Sequence, residues 1–364
     1  MIKKTFVYLV ICALAVQMSA QVQVYPLGNL PEKVKYTGSV TYALPTTTLK
    51  VTVSVSKVRE VRGYFADYAE SLLGLTNIIK QNQTRYALNS VKVEPLRTPD
   101  LTNVYRAYTT NAAVADAWEA GRKSSTVFLP DTGLIVYQTH TASLPEFFKN
   151  YADISYTQQS EAFVDTKIID GVVTQVPASH TKTVSKSFDS KAREAADAIM
   201  KSRKDQYALA AGEQETPYSG EALQTMLAEL KNWESNYMSL FTGVTVADTI
   251  EYVLYLTPSD NLNEPMTAFY LSPEKGFDTE KGAAANAYQL SFKRMYQHPI
   301  EKVSLQYPTS SYLTRTEMPV RISLNQNGRS LHDFGIINMY QAGATVFSSA
   351  KQPVDMNSIG FVFE

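Results

Sequence analysis

Four histidines, His140, His180, His298 and His332, are the residues best suited to ligate a metal or to move a proton near neutral pH. They are scattered. No His-x-His or His-Glu-x-x-His spacing sets two of them one helical turn apart, as a helical zinc pair requires. The one cysteine, Cys12, follows Ile11 inside an apolar run, which is not where a lipid-modified cysteine stands. No Gly-x-Ser-x-Gly turn holds a serine out for acyl transfer. No glycine-rich loop of the phosphate-cradling or dinucleotide type occurs. Thirty-five Asp and Glu supply many carboxylates. None is marked as the spaced pair that glycoside hydrolysis uses. A net charge of −1 gives no basic field for phosphate backbones, so nucleic acid is not an expected partner.

Rings and bases are the remaining chemistry. Tyrosine is abundant, with 23 residues against 15 Phe and 2 Trp. Tyr105, Tyr108 and Trp118 come nearest to a cluster, and flat rings of this kind stack on carbohydrate. They are the candidate ligand-stacking residues, although tyrosine is also a strand former. Lys182, Lys186, Lys191, Arg193, Lys201, Arg203 and Lys204 form a basic run. It reads as a solvated helix face, because Asp197 stands four residues before Lys201 and further acids are interleaved. No cofactor, metal site or catalytic residue is called for.

These residues must be positioned by a strand-rich scaffold. Val34–Ala43 and Leu49–Val58 read as strands, with a hairpin-like turn at Leu44-Pro45-Thr46-Thr47. In the second, Leu49, Val51, Val53 and Val55 alternate with polar residues. Gly63–Leu73 has helical spacing and closes at Gly74. Tyr86–Val93, Val104–Tyr108, Thr126–Leu129 and Leu134–Tyr137 read as strands. Val164–Ile169 and Val172–Val176 flank Asp170-Gly171, a type I′ hairpin signal. The middle is helical. Asp189 or Ser190 caps a helix with Ala192, Ala195, Ala196, Ile199, Met200 and Arg203 on one stripe, broken by Gly212 and Pro217. Ser219 caps a second helix. Its stripe runs Leu223, Met226, Leu227, Leu230, Trp233, Tyr237, Met238 and Phe241, and Gly243 supplies a left-handed C-cap. Trp233 on this stripe is expected in the core. Strand patterns return at 250–256, 267–271, 288–292, 303–307, 319–324, 336–340, 344–347 and 359–363, with Asn327-Gly328 a second hairpin signal.

The first twenty residues have a separate meaning. Lys3 and Lys4, an apolar run over Thr5–Val16 and a small residue at Ala20 follow the order of a secretory signal peptide. The run is too short to span a bilayer. Cleavage is expected between Ala20 and Gln21. It removes Cys12 and two lysines, which leaves a cysteine-free chain of net charge −3. No later run is long and apolar enough for a membrane-spanning helix.

Tyr42-Ala43-Leu44-Pro45-Thr46-Thr47 and Gly63-Tyr64-Phe65-Ala66-Asp67-Tyr68-Ala69, with the helical block from Ala192 to Gly243, resemble an uncharacterised family of exported proteins, a domain of unknown function, from Bacteroides-type bacteria. The resemblance implies export to the cell envelope and lends no catalytic residue. Where such proteins carry a Tyr-Arg-x-Pro-like motif late in the chain, Tyr312-Leu313-Thr314-Arg315 stands here. Exported proteins of that group are O-glycosylated at an Asp-Ser/Thr-aliphatic pattern, which marks Thr249 in Asp248-Thr249-Ile250 as a candidate acceptor.

The reading is an α+β protein with two β-rich, mostly antiparallel halves flanking a central helical pair. Its linear division is a signal peptide at 1–20, a β-rich domain at 21–188, a helical segment at 189–243 and a second β-rich domain at 244–364. Its expected role is non-catalytic binding or assembly in the periplasm, at the outer membrane or on the cell surface, with an envelope protein or glycan as partner. The alternative is a periplasmic carbohydrate-active hydrolase or a carbohydrate-binding protein. Intact-mass measurement on chain recovered from the envelope of its native host should find an N-terminus at Gln21. A cytosolic chain that retains Met1–Ala20 would remove the export assignment.

Overall fold

The computed structural model describes residues 22–124, 133–140, 142–151, 156–169, 172–213, 220–282, 285–296, 311–349 and 361–363. The expected signal segment, its cleavage site at Ala20 and Gln21, the cap at Ser219 and the strands at 126–129 and 303–307 lie outside the described residues. In chain order the elements are β1 (Val22–Pro26), β2 (Gly38–Val61), α1 (Ala69–Leu73), β3 (Gln83–Thr109), α2 (Ala112–Ser124), β4 (Ile135–His140), α3 (Glu146–Asn150), β5 (Tyr156–Ile169) and β6 (Val172–Ser185). The long helices α4 (Phe188–Ala211) and α5 (Gly220–Thr242) follow. Then come β7 (Val244–Leu256), β8 (Met266–Ser272), β9 (Gly276–Asp278), β10 (Asn286–Arg294), β11 (Ser311–Arg315), β12 (Met318–Gln326), β13 (Arg329–Met339), β14 (Thr345–Ser349) and β15 (Phe361–Phe363). The chain is α+β and strand-rich, as its residue pattern predicts.

The largest sheet has the order β1-β3-β2-β7-β4, with β15 paired to β2. A five-stranded sheet runs β13-β12-β10-β8-β9, and β11–β14 and β5–β6 form two-stranded ribbons. The chain divides into two compact units that do not follow the linear order of domains. One comprises residues 1–55, 87–137 and 250–364, and the other 56–86 and 138–249. The division passes within β2, β3, β4 and β7 themselves. The helical pair lies within the second unit.

Local chemistry explains the elements. The Asn-Gly hairpin signal holds; Asp170-Gly171 itself lies outside the described residues. Asn327 (φ 51°) and Gly328 (φ 78°) join β12 to β13 in the left-handed region that a type I′ turn requires. The strands either side of Asp170-Gly171 pair antiparallel from Ile169↔Val172 to Tyr156↔Ser185. Gly212 (φ 74°) ends α4 and Gly243 (φ 85°) ends α5. A Cβ at Gly243 would strike the Val61 carbonyl oxygen, so glycine is required there twice over. The cap of α4 is neither Asp189 nor Ser190. Ser187 is extended, and its Oγ accepts the Ser190 N–H at 3.2 Å. Only the residue just before the first turn places an oxygen over that free donor.

The expected turn at Leu44–Thr47 is not a turn. β2 runs straight through Pro45 for 24 residues. A proline cannot donate to a ladder and is normally kept from the middle of a central strand. Here its neighbours find other partners. The Thr47 N–H donates to Gln341 Oε1 at 3.2 Å, and Gln341 Nε2 donates to the Thr47 carbonyl at 2.6 Å and to Thr46 Oγ1 at 2.9 Å. One buried carboxamide thus imitates the edge of a missing strand. The Tyr340 N–H donates to Thr47 Oγ1 at 3.0 Å, and the Thr48 hydroxyl lies 2.7 Å from those of both Thr98 and Thr257. The downstream half of β2 behaves as its alternation predicts, with Leu49, Val51, Val53 and Val55 fully buried. The same continuity joins Tyr86–Val93 and Val104–Tyr108, which form one strand, β3, through Pro95 and Pro99.

Each unit has its own core. In the first, Val22, Val24, Val40, Tyr42, Leu44, Tyr105, Trp118, Tyr312 and Leu313 pack together. In the second, Phe65, Phe148, Ala192, Ala195, Ile199, Leu240 and Phe241 do so. Gln341→Ala should cost about 3 kcal/mol, since it strands a buried N–H and a buried C=O at once. Gln341→Glu, which keeps the acceptor and loses the donor, should also destabilise. Denaturant unfolding of both variants checks this.

Candidate functional site

Tyr105 and Tyr108 lie on β3 and Trp118 on α2, with 8%, 9% and 4% of their surface exposed. The structure brings two of them together as core. The Tyr105 ring lies 5.8 Å from that of Tyr42, which is 6.3 Å from Tyr312, and Trp118 stands edge-on to Tyr312 at 6.3 Å. Trp118 Nε1 donates to the Tyr312 hydroxyl at 3.1 Å, and the Leu313 N–H donates to the Tyr42 hydroxyl at 3.1 Å. Tyr108 is separate, against Tyr25 and Tyr36. Stacking on a ligand needs an open ring face, and these rings spend theirs on one another. Burial pushes the Tyr312 phenol up to about 12, against the opposing effect of Trp118's hydrogen bond.

Thr249 lies half-buried on β7. Its neighbour Asp248 is buried and committed inward: it accepts the Ala142 N–H at 2.7 Å and lies 3.4 Å from the Arg59 guanidinium. Arg59 in turn donates to the Ala142 carbonyl at 2.8 Å. His332 is exposed on β13, edge-on to Phe334. The side chains of His140, His180 and His298 lie outside the described residues. Among the described residues, no three His, Cys, Asp or Glu are grouped as a metal site would need. The basic run is laced with acids. Lys186 pairs with Glu194, Arg193 with Asp189 and Arg203 with Glu234, at 2.6, 2.9 and 2.7 Å.

Two features were invisible in the sequence pattern. One is a buried ion pair, with Arg315 Nη1 3.1 Å from Asp100 Oδ2. Arg315 also reaches the Pro45 carbonyl, and Asp100 collects hydrogen bonds from Thr102 and Asn103. Burial raises the Asp100 carboxyl, but these hydrogen bonds and the Arg315 charge outweigh it and hold the group below the usual carboxylate range. No local spacing links residues 100 and 315, so no sequence signal marks the pair.

The second feature corrects the reading of Trp233. It is 61% exposed rather than core. On α5 only Leu240 and Phe241 are fully buried, with Tyr237 and Met238 packed against the same cluster. Toward the other end of α5 the described residues leave the stripe only partly buried, with Leu223, Met226, Leu227 and Leu230 intermediate and Trp233 exposed. There α4 and α5 enclose an open groove of about 590 Å3 lined by Ala208, Leu209, Met226, Leu230 and Trp233, with Asp205 and Glu229 also on its walls. Helical periodicity states which residues share a face, and not whether anything covers that face.

A family model described as "Domain of unknown function (DUF4831)" matches residues 38–329. No curated protein and no solved structure matches the chain.

Asp100→Asn should cost about 3 kcal/mol at pH 7, because it leaves a buried guanidinium without its anion. A carboxyl held low in the folded state stabilises above its unfolded pKa of ~4 and loses that contribution as pH falls through its folded value. The gap between wild type and variant should therefore narrow on acidification from pH 5 toward pH 2. Urea unfolding across that range checks it.

Proposed function

The chain belongs to the family just described, whose function is unknown, and from that premise we propose that it is an exported protein of the bacterial cell envelope that acts by binding a protein partner rather than by catalysis. Export rests on the basic, apolar and small-residue order of Met1–Ala20. The binding role rests on one observation, the groove that the described residues of α4 and α5 leave open, with Trp233 at 61% exposure. Tryptophan is among the residues that dominate binding energy at interfaces. A continuous apolar groove on a helical pair is the usual receptacle for one more helix or an apolar loop.

The two halves of the reading are tested separately. Cell fractionation reports the compartment, and recovery of the uncleaved chain from the cytosol would sink export. A photocrosslinker placed at Trp233 in the native host should trap a defined envelope protein. Trp233→Ala should change unfolding free energy by less than about 0.5 kcal/mol, yet abolish capture of that protein by a crosslinker at Met226. A variant that still captures the same protein at wild-type yield would remove the groove from the mechanism.

A further inference from the structure

In the first unit, a cavity of about 430 Å3 opens beside the short 3-10 turn Tyr340–Ala342. That volume lies within the range of small-molecule sites. Arg97 from β3, Glu317, which precedes β12, and Ile336 and Asn338 from β13 converge there on Tyr340.

The turn is rigidly held. Gln341 is buried and doubly bonded to Thr47, and the Tyr340 N–H is bonded to Thr47 Oγ1. The interaction that satisfies β2 around Pro45 therefore also fixes the Tyr340 backbone. The Tyr340 hydroxyl donates to the Glu317 carboxylate, and the Arg97 guanidinium carbon lies 5.9 Å from the ring centroid. Burial and that bond to Glu317 push the phenol up to about 12 despite Arg97, so it stays a neutral donor at physiological pH. The ring is half-buried, leaving part of it to the cavity, and Ile336 beside it is 53% exposed. Asn338 is exposed and offers both an amide donor and an amide acceptor.

From this convergence we infer that the Tyr340 cavity is a binding site for a neutral saccharide. The lining carries one cation and one anion. An anionic ligand meets Glu317 and a cationic one meets Arg97. A purely apolar ligand would bury both charges without new partners, at a cost. A sugar ring suits this wall: it has a C–H face for the tyrosine and Ile336, and hydroxyls that donate to Glu317 and both donate to and accept from the exposed Asn338 amide. Glu317 is the one carboxylate among the described lining residues. Hydrolysis uses two, and the inference is of binding. The inference is independent of the helical groove, which belongs to the other unit.

Saturation-transfer NMR on the mature chain at pH 7 tests it, with maltose, cellobiose and N,N′-diacetylchitobiose as probes and glucuronic acid as the anionic control. At least one neutral disaccharide should bind saturably with Kd below about 10 mM, and more tightly than glucuronic acid. Asn338→Ala, an exposed change with little bearing on folding, should weaken binding by about tenfold, or ~1.4 kcal/mol. Tyr340→Ala should abolish binding and Tyr340→Phe should retain part of it. No binding by any of the three disaccharides, stronger binding of glucuronic acid, or wild-type affinity in Asn338→Ala and Tyr340→Ala would each overturn the assignment.

Discussion

The pairing of the Gln341 carboxamide with the Thr47 peptide is the contact on which much of the first unit depends. β2 lies between β3 and β7, and it must pass Pro45 without an N–H to offer. A buried backbone group left unpaired costs about as much as a lost hydrogen bond, so such a strand survives only if something supplies the missing edge. Gln341 supplies it from 294 residues away in the chain. β15 pairs with the same strand at Thr41–Ala43, and Arg315 reaches the Pro45 carbonyl. The late part of the chain is thereby fastened to one of its earliest strands.

That arrangement explains why the polar residues around Pro45 are buried and satisfied. Thr46, Thr47 and Thr48 are almost inaccessible, and their hydroxyls bond to Gln341, the Tyr340 N–H, Thr98 and Thr257. The Asp100–Arg315 pair closes the same region with a charge-assisted contact. These are positioning groups. Their chemistry is spent on structure; beside them Ile336 and Asn338 stay exposed and Tyr340 half-buried.

The second unit is built on different terms. Phe65, Phe148, Ile199 and Phe241 make a compact aromatic and aliphatic core, sealed by Gly63 and Gly243, whose lack of a side chain lets backbones approach. The Phe65 N–H bonds the Leu240 carbonyl at 2.8 Å across that approach. Beyond this core α4 and α5 continue as a pair with few fully buried residues: Ser202, which donates to the Leu230 carbonyl, and Leu209 among them. A helical pair of this kind carries apolar surface that it cannot cover by itself.

Much of the architecture was legible in the residues alone. The two long helices, their glycine C-caps, the Asn-Gly hairpin and the buried alternation of Leu49 to Val55 are dictated by short-range rules: period, cap geometry and the positive φ that glycine and asparagine tolerate. Other features belong to the tertiary structure, because their partners lie far apart in sequence. Pro45 reads as a break until Gln341 is beside it. Tyr105 and Trp118 read as a ligand platform until Tyr42 and Tyr312 cover them. Trp233 reads as core, because a helical stripe states which residues share a face and not how far the neighbouring helix covers each of them: α4 runs alongside, with Arg203 on Glu234, and still leaves the indole 61% exposed. The Tyr340 cavity has no sequence signal at all, since Arg97, Glu317 and Tyr340 meet only through the crossing of three strands and a turn. Local propensity fixes which elements form; side chains hundreds of residues apart decide which polar groups are buried with partners and which stay at the surface.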